Sequence, residues 1–237
     1  MLISNFSLKN QIQKILCVIN EVFDFNLYHP VRELRKIALI ETVEYIQNNM
    51  VDCLSFYTAK ELFDAILPQV SQTGSLVEFG VYKGGSANYI AKKFPDRQLY
   101  GFDSFKGLPE AWGGFTLNGG VFKLRENTLP RVRSNVKLEV GLFSDSIPVW
   151  KQEDLNPIAL MHIDCDLYSS TCTILELLGG RLIPGSIIVF DEYFGYPNWK
   201  NHEHKAFMEF CAEKNIIFEY IGYSRVQVAV KILSNPS

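Results

Sequence analysis

The chain is poor in the residues that mark several common protein classes. Its five cysteines, Cys17, Cys53, Cys165, Cys172 and Cys211, are odd in number, scattered and without a C-x-x-C. That excludes a disulfide framework or a thiolate zinc site and points to reduced thiols. There are four histidines; His202 and His204 do not follow the H-E-x-x-H spacing of a zinc helix. No apolar run approaches the ~20 residues of a membrane span, so no membrane is expected. Lys9, Lys14 and Glu21 interrupt the apolar pattern of the first 30 residues, and no small-residue cleavage site follows. A signal peptide is therefore not expected, and the expected location is cytoplasmic. Basic stripes with interleaved aromatics are missing and the formal net charge is −3, which gives no footprint for nucleic acid. The G-x-G-x-x-G of dinucleotide-binding proteins is missing too.

What is there is apolar material in short runs. With 237 residues and 47% hydrophobic composition, the chain can bury a core unaided. Two amphipathic helices are expected over residues 7–23 and 31–49, the second with Leu34, Ile37, Ala38, Ile40, Val43 and Ile46 at helical spacing. They form an N-terminal helical extension over residues 1–56, used to cover a cleft or to join two copies in a homodimer or higher homo-oligomer. Thr58 to Glu61 is a capping box for a third helix, which Pro68 stops.

From residue 57 to 237 strands and helices alternate. SLVEFGV (75–81), QLYGFD (98–103), NVKLEVG (135–141), IALMHID and SIIVFDE read as buried strands. IFEYIGY and RVQVAVKIL close the chain as a pair. The expected fold is a doubly wound, mostly parallel seven-stranded α/β sheet with an antiparallel edge. Residues 104–135 exceed an ordinary connection and are expected to hold a lid with some helix. A helix over NHEHKAFMEFCAEK is expected, with Asn201 as its cap.

Four carboxylates end two of these strands: Asp164 and Asp166 in HIDCDLYSS, Asp191 and Glu192 in VFDEY. The carboxyl edge of an open α/β sheet is where ligands bind. Acids crowded there repel one another unless protons or a cation compensate. Oxygen-only ligands favour Mg²⁺ or another hard divalent cation. Cys165, between the aspartates, points away from them on strand alternation and is assigned a structural role.

Earlier in the chain, VEFGVYKGGS ends a strand at Glu78 and Gly80 and opens a helix with Gly84, Gly85 and Ser86. The glycines allow close approach of a ligand, and Glu78 suits a cationic or amine-bearing one. Asp103, followed by Ser104, ends the next strand, where an acid can accept both hydroxyls of a ribose. A nucleoside without a required phosphate site fits both, and S-adenosylmethionine meets that description.

The order VEFGVYKGGS, GFDSFKGLPE, VGLFSDSIP, HIDCDLYSST, PGSIIVFDEY resembles the class I S-adenosylmethionine-dependent methyltransferases. More narrowly it resembles the macrocin O-methyltransferase family, over roughly residues 57–232. The resemblance implies that Glu78, Gly80 and Gly84 cradle the methionine end of the cofactor, that Asp103 holds the ribose, and that Phe143 and Ser144 flank the adenine. It further implies Mg²⁺ on Asp164, Asp191 and Glu192, with Asp166 as general base. The implied activity is a metal-dependent methylation of a hydroxyl on a small molecule, a sugar or glycosylated natural product. Two rivals remain at this point: a non-catalytic S-adenosylmethionine-binding partner subunit, and an enzyme using the acidic site for other chemistry. His202 is a further candidate for contact with the acceptor, because its segment follows the metal-bearing strand. Tyr193, Phe194, Tyr196, Trp199, Trp112 and Phe115 are candidates for the acceptor wall.

Overall fold

The computed structural model describes Ile15 and residues 29–112, 121–126 and 128–236. The helix expected over residues 7–23 lies outside them apart from Ile15, as does Phe115.

Helix α1 (Pro30–Asn49) starts where the His29 ring accepts from the Val31 N–H and Pro30 occupies the first turn, a position whose missing donor costs nothing. Only Ala38 and Thr42 are buried; Leu34, Ile37, Ile40 and Val43 of the expected apolar row are 47–67% exposed. The helix is held by Ala38, Tyr45 and Ile46, which pack on the core, and by polar contacts. The Gly195 N–H donates to Thr42 Oγ1 at 3.0 Å. The Tyr45 hydroxyl lies 2.6 Å from that of Tyr220, which lies 2.8 Å from that of Tyr193. Helix α2 (Ala59–Ile66) has the reciprocal capping box: Glu61 N–H donates to Thr58 Oγ1, and Thr58 N–H to Glu61 Oε2. Among the described residues no helix is long and apolar enough to cross a membrane.

Eight strands form one sheet: β1 (Leu54–Ser55), β2 (Ser75–Phe79), β3 (Leu99–Asp103), β4 (Val136–Val140), β5 (Ile158–Ile163), β6 (Leu182–Phe190), β7 (Ile217–Tyr223) and β8 (Val228–Ser234). Their order is β1-β7-β8-β6-β5-β2-β3-β4. β4, β3, β2, β5 and β6 run parallel, and β8 is inserted antiparallel between β6 and β7. The seven expected strands are joined by a two-residue eighth, β1, which adds to β7. Helices α3 (Gly85–Lys93), α4 (Phe143–Glu153), α5 (Tyr168–Leu178) and α6 (Glu203–Lys214) complete the winding. Among the described residues of 104–135 there is no helix.

Every residue of β2 and β5 is buried, as a strand covered on both faces requires. Alternation sends Val77, Phe79, Met161 and Ile163 into one apolar layer and Leu76, Leu160, Ile187 and Val189 into the other. Each such side chain contributes about 1.5–3 kcal/mol on burial. The sheet order reverses at β2, so the crevice beyond the ends of β2 and β5 is the switch point where such sheets bind ligands.

Candidate active site

The two halves of this edge are tied together at a glycine. Gly80 follows β2 at φ +96°, and a Cβ there would lie 1.7 Å from the Asp164 carbonyl oxygen. Only glycine meets both demands. The Asp164 N–H continues the ladder to the Phe79 carbonyl at 2.8 Å, and the Asp191 N–H does so to Ile163 at 2.8 Å. Three strand ends are thus held in register just where the acids leave them.

On the β3 side, Asp103 turns its carboxylate onto backbone. Oδ2 accepts from Val81 N–H at 2.9 Å and Tyr82 N–H at 2.7 Å, and Oδ1 from Phe105 N–H at 2.7 Å. A carboxylate offers about four acceptor sites. Three of these take backbone N–H groups, which fixes the orientation of the carboxylate at the strand end.

On the β5 and β6 side the acids crowd. Ligand atoms of Asp164, Asp166 and Glu192 lie within 4.8 Å of one another, and so do those of His162, Asp164 and Asp191. Burial and the neighbouring Asp191 push Asp166 up to about 7. Burial, then Asp191, raises Asp164 well above the carboxylate range, and the same two causes act on Glu192. Asp191 behaves oppositely: burial would raise it, but His162 and the Gln227 amide outweigh that and lower it. His162 is fully buried, its Nδ1 3.0 Å from Glu78 Oε1 and its Nε2 3.8 Å from Asp191 Oδ1. Burial alone would favour its neutral form; the carboxylates of Asp191 and Glu78 prevail and raise its pKa well above the ordinary value.

Helix α5 starts without a side-chain cap, so Asp166 is not used up as one. Cys165 is buried with Sγ 3.4 Å from Thr171 Oγ1, and burial raises its thiol pKa well above the ordinary value. It is a packed, inert thiol.

Both halves face one cavity of about 440 Å³, within the usual range for small-ligand sites. Of the residues expected from the sequence, Gly80, Asp103, Ser104, Phe143, Ser144, Asp164, Asp166, Asp191 and Glu192 line it. Glu78, Gly84, Gly85, Ser86 and His202 are not in its wall. Strand register sets Glu78 opposite His162, beneath the α2 layer whose Phe63 ring packs edge-on to that histidine at 5.2 Å; its Oε2 is buried with no hydrogen-bond partner. Gly84, at φ +79°, starts α3 where a Cβ would come 3.0 Å from Val132. Its smallness serves chain packing there. His202 is 8% exposed and packs against Trp112 and Tyr196. It, rather than the expected Asn201, is the residue preceding α6. Tyr193, Phe194, Tyr196 and Trp199 are fully buried core rather than cavity wall.

Sequence reasoning missed Tyr82 and Phe122, which line the cavity with rings 5.4 Å apart, and Glu203. Glu203 is buried beneath the acid loops, and burial and Asp166 push it up to about 8 against the opposing N–H groups of Glu192 and Cys165. An acid in the first turn of a helix is an ordinary sight; nothing in its spacing announces these partners.

Comparison with known proteins fits this geometry. The model of the macrocin O-methyltransferase (TylF) family matches residues 60–221. An 8-demethyl-8-(2,3-dimethoxy-alpha-L-rhamnosyl)-tetracenomycin-C 4'-O-methyltransferase of Streptomyces olivaceus is 32% identical over 139 residues, covering 51% of this chain and 53% of the relative. Demethyldecarbamoylnovobiocin O-methyltransferase of Streptomyces niveus is 28% identical over 173 residues, covering 64% and 63%. The crystal structure of the calicheamicin methyltransferase CalS11 shares the fold with a TM-score of 0.59 at 23% identity, over 85% of this chain and 90% of that one. This chain spans between half and two thirds of the length of the two curated relatives. The fold is the Rossmann-like architecture of class I methyltransferases. Within that class, the chain belongs to the macrocin O-methyltransferase (TylF) family.

Proposed function

We propose that this protein methylates a hydroxyl of a sugar or glycosylated small molecule, using S-adenosylmethionine and a hard divalent cation. The observation that carries the reading is one cavity lined both by Gly80, Asp103 and Phe143 and by the four clustered acids. Family membership supports it, as do the names of the two relatives, both O-methyltransferases.

The acid cluster fits a cation: its donors are oxygen, three of its carboxyls are raised in pKa, and Glu192 Oε2 is buried with no hydrogen-bond partner. Asp164 would hold the ion together with Asp166 and Glu192, whose ligand atoms cluster with its own, while Asp191, expected as a third ligand beside Glu192, clusters instead with Asp164 and His162. When bound, it would supply positive charge that orients an alcohol and lowers a pKa otherwise near ~15.7. Gly80, Asp103, Ser104, Phe143 and Ser144 would hold S-adenosylmethionine, whose chemistry is a sulfonium-borne methyl group. The chain's own work is alignment across the cavity and acceptance of the hydroxyl proton at an Asp166 oxygen, within the acid cluster. Residues 57–237 form the transferase unit in this reading and residues 1–56 its extension.

Calorimetry with S-adenosylmethionine, with and without Mg²⁺, tests the proposal, followed by methyl transfer to a panel of glycosides. Cofactor binding with cation-dependent transfer to a glycoside is expected. A chain that binds no S-adenosylmethionine overturns it.

A further inference from the structure

At the end of a parallel strand the backbone N–H groups lose their ladder partners and need new acceptors. Asp164 and Asp191 still donate into the sheet; Cys165, Asp166 and Glu192, just beyond, do not. Glu203, the first residue of α6 and fully buried, meets all three. Its Oε1 accepts from Asp166 N–H at 3.2 Å and Cys165 N–H at 3.4 Å, and its Oε2 from Glu192 N–H at 3.2 Å. One carboxylate therefore spans the loop after β5 and the loop after β6.

The turn it grips is a strained one. Asp166 has φ +64°, and the Leu167 N–H closes back onto the Cys165 carbonyl at 2.7 Å. A non-glycine residue in such a three-residue turn is strained and persists only where its surroundings enforce it. The N–H groups of Cys165 and Asp166, on either side of the Cys165 Cα at the start of this turn, are the ones that Glu203 holds. Glu203 itself is not in the cavity wall.

We propose that Glu203 is a positioning residue for the reaction. Its carboxylate sets the distance between the Asp164–Asp166 loop and the Asp191–Glu192 loop and keeps Asp166 in its left-handed turn. The assignment rests on the reading of the cluster as the cation and acceptor site. Glutamine at this position keeps the volume but turns an NH₂ toward at least one N–H donor. Aspartate keeps the charge but is too short to serve both loops.

The test is E203Q, with E203D as the second variant, each checked for folding by thermal melting. Mg²⁺ affinity by calorimetry and kcat should fall about 10–100-fold, as for other groups that orient metal ligands, while S-adenosylmethionine affinity and acceptor KM stay within about threefold. A folded variant with Mg²⁺ affinity and kcat within twofold of the wild type overturns the proposal. So does a parallel loss of cation and cofactor affinity, the mark of a purely structural role. A wild-type chain that binds S-adenosylmethionine but no Mg²⁺ sinks the cation reading alone. Glu203 is then judged by whether E203Q lowers kcat at constant acceptor KM (support) or leaves kcat intact (refutation). Should neither variant fold, amide hydrogen exchange of the wild type decides. Joint protection of the Cys165, Asp166 and Glu192 amides supports the assignment, and fast exchange at all three refutes it.

Discussion

Asp103 and Asp164 stand at the carboxyl ends of the two strands that flank β2, one on each side. They are the same residue type at equivalent points of one sheet, yet their charges meet opposite fates. Asp103 receives three backbone N–H groups and is settled locally. Asp164 shares its ground with Asp166, Asp191 and Glu192, and the cationic group within reach of this cluster is His162, already facing Glu78 and Asp191. Backbone dipoles compensate the first acid. The second group holds protons or a cation, because like charges at this spacing do not all ionise in a buried site. A strand-end acid thus tells little by itself; the donors around it decide whether it shapes a loop or waits for a ligand.

The comparison is tested first at its crowded end. Asp164→Asn should lower methyl transfer by about a hundredfold or more, with S-adenosylmethionine affinity within a few-fold by calorimetry. Its melting temperature without Mg²⁺ should hold or rise, since the amide replaces a carboxyl whose ionisation burial and Asp191 oppose. A variant that keeps half its activity places the reaction elsewhere. At the settled end, Asp103→Asn should cost about 2–3 kcal/mol of stability in denaturant titration, the range for hydrogen bonds to a charged acceptor, whether or not Mg²⁺ is present. A change confined to the Mg²⁺-bound protein would erase the contrast between the two acids.

A smaller effect comes from pH. In the cation-free protein Asp166 titrates at about 7 against an ordinary 3.8, so the folded state keeps a proton that the unfolded chain has released. Stability from this group is fully present below the ordinary value and is lost as pH rises through about 7. The loss is at most about 1.4 kcal/mol per pH unit for a single group. Melting temperature measured without cation should therefore fall between about pH 5 and about pH 8, and Mg²⁺ should restore most at the upper end. A melting temperature that climbs across this window contradicts the crowding.

Much of this was written in linear pattern. The buried runs IALMHI and SIIVF are β5 and the inner half of β6, and the Thr58–Glu61 box starts α2 as read. The acids end their strands because periodicity places strand ends well. Other features needed partners distant in sequence. Glu78 reads as ligand-facing beside Gly80, and strand register pairs it with His162, 84 residues away. Leu54–Ser55 is too short to carry an alternation signal. The apolar row of α1 promised a buried face, whereas helical periodicity shows only that a helix has such a face, not that its own chain covers it. Glu203 was invisible because its meaning lies in three backbone donors from two other loops. The cap at His202 instead of Asn201 is a one-residue shift of the kind helix boundaries always carry.

The tyrosine hydroxyl chain from Tyr45 through Tyr220 to Tyr193 has a mechanical corollary. Tyr193 follows Glu192 directly, so helix α1 is wired to the acid-bearing loop. Thr42, which takes the Gly195 N–H, adds a second link to that wiring. Helix and sheet edge are consequently coupled as one piece. Replacing this helix would, in the same stroke, require new company for the buried phenol of Tyr193, the half-buried one of Tyr220 and a backbone amide.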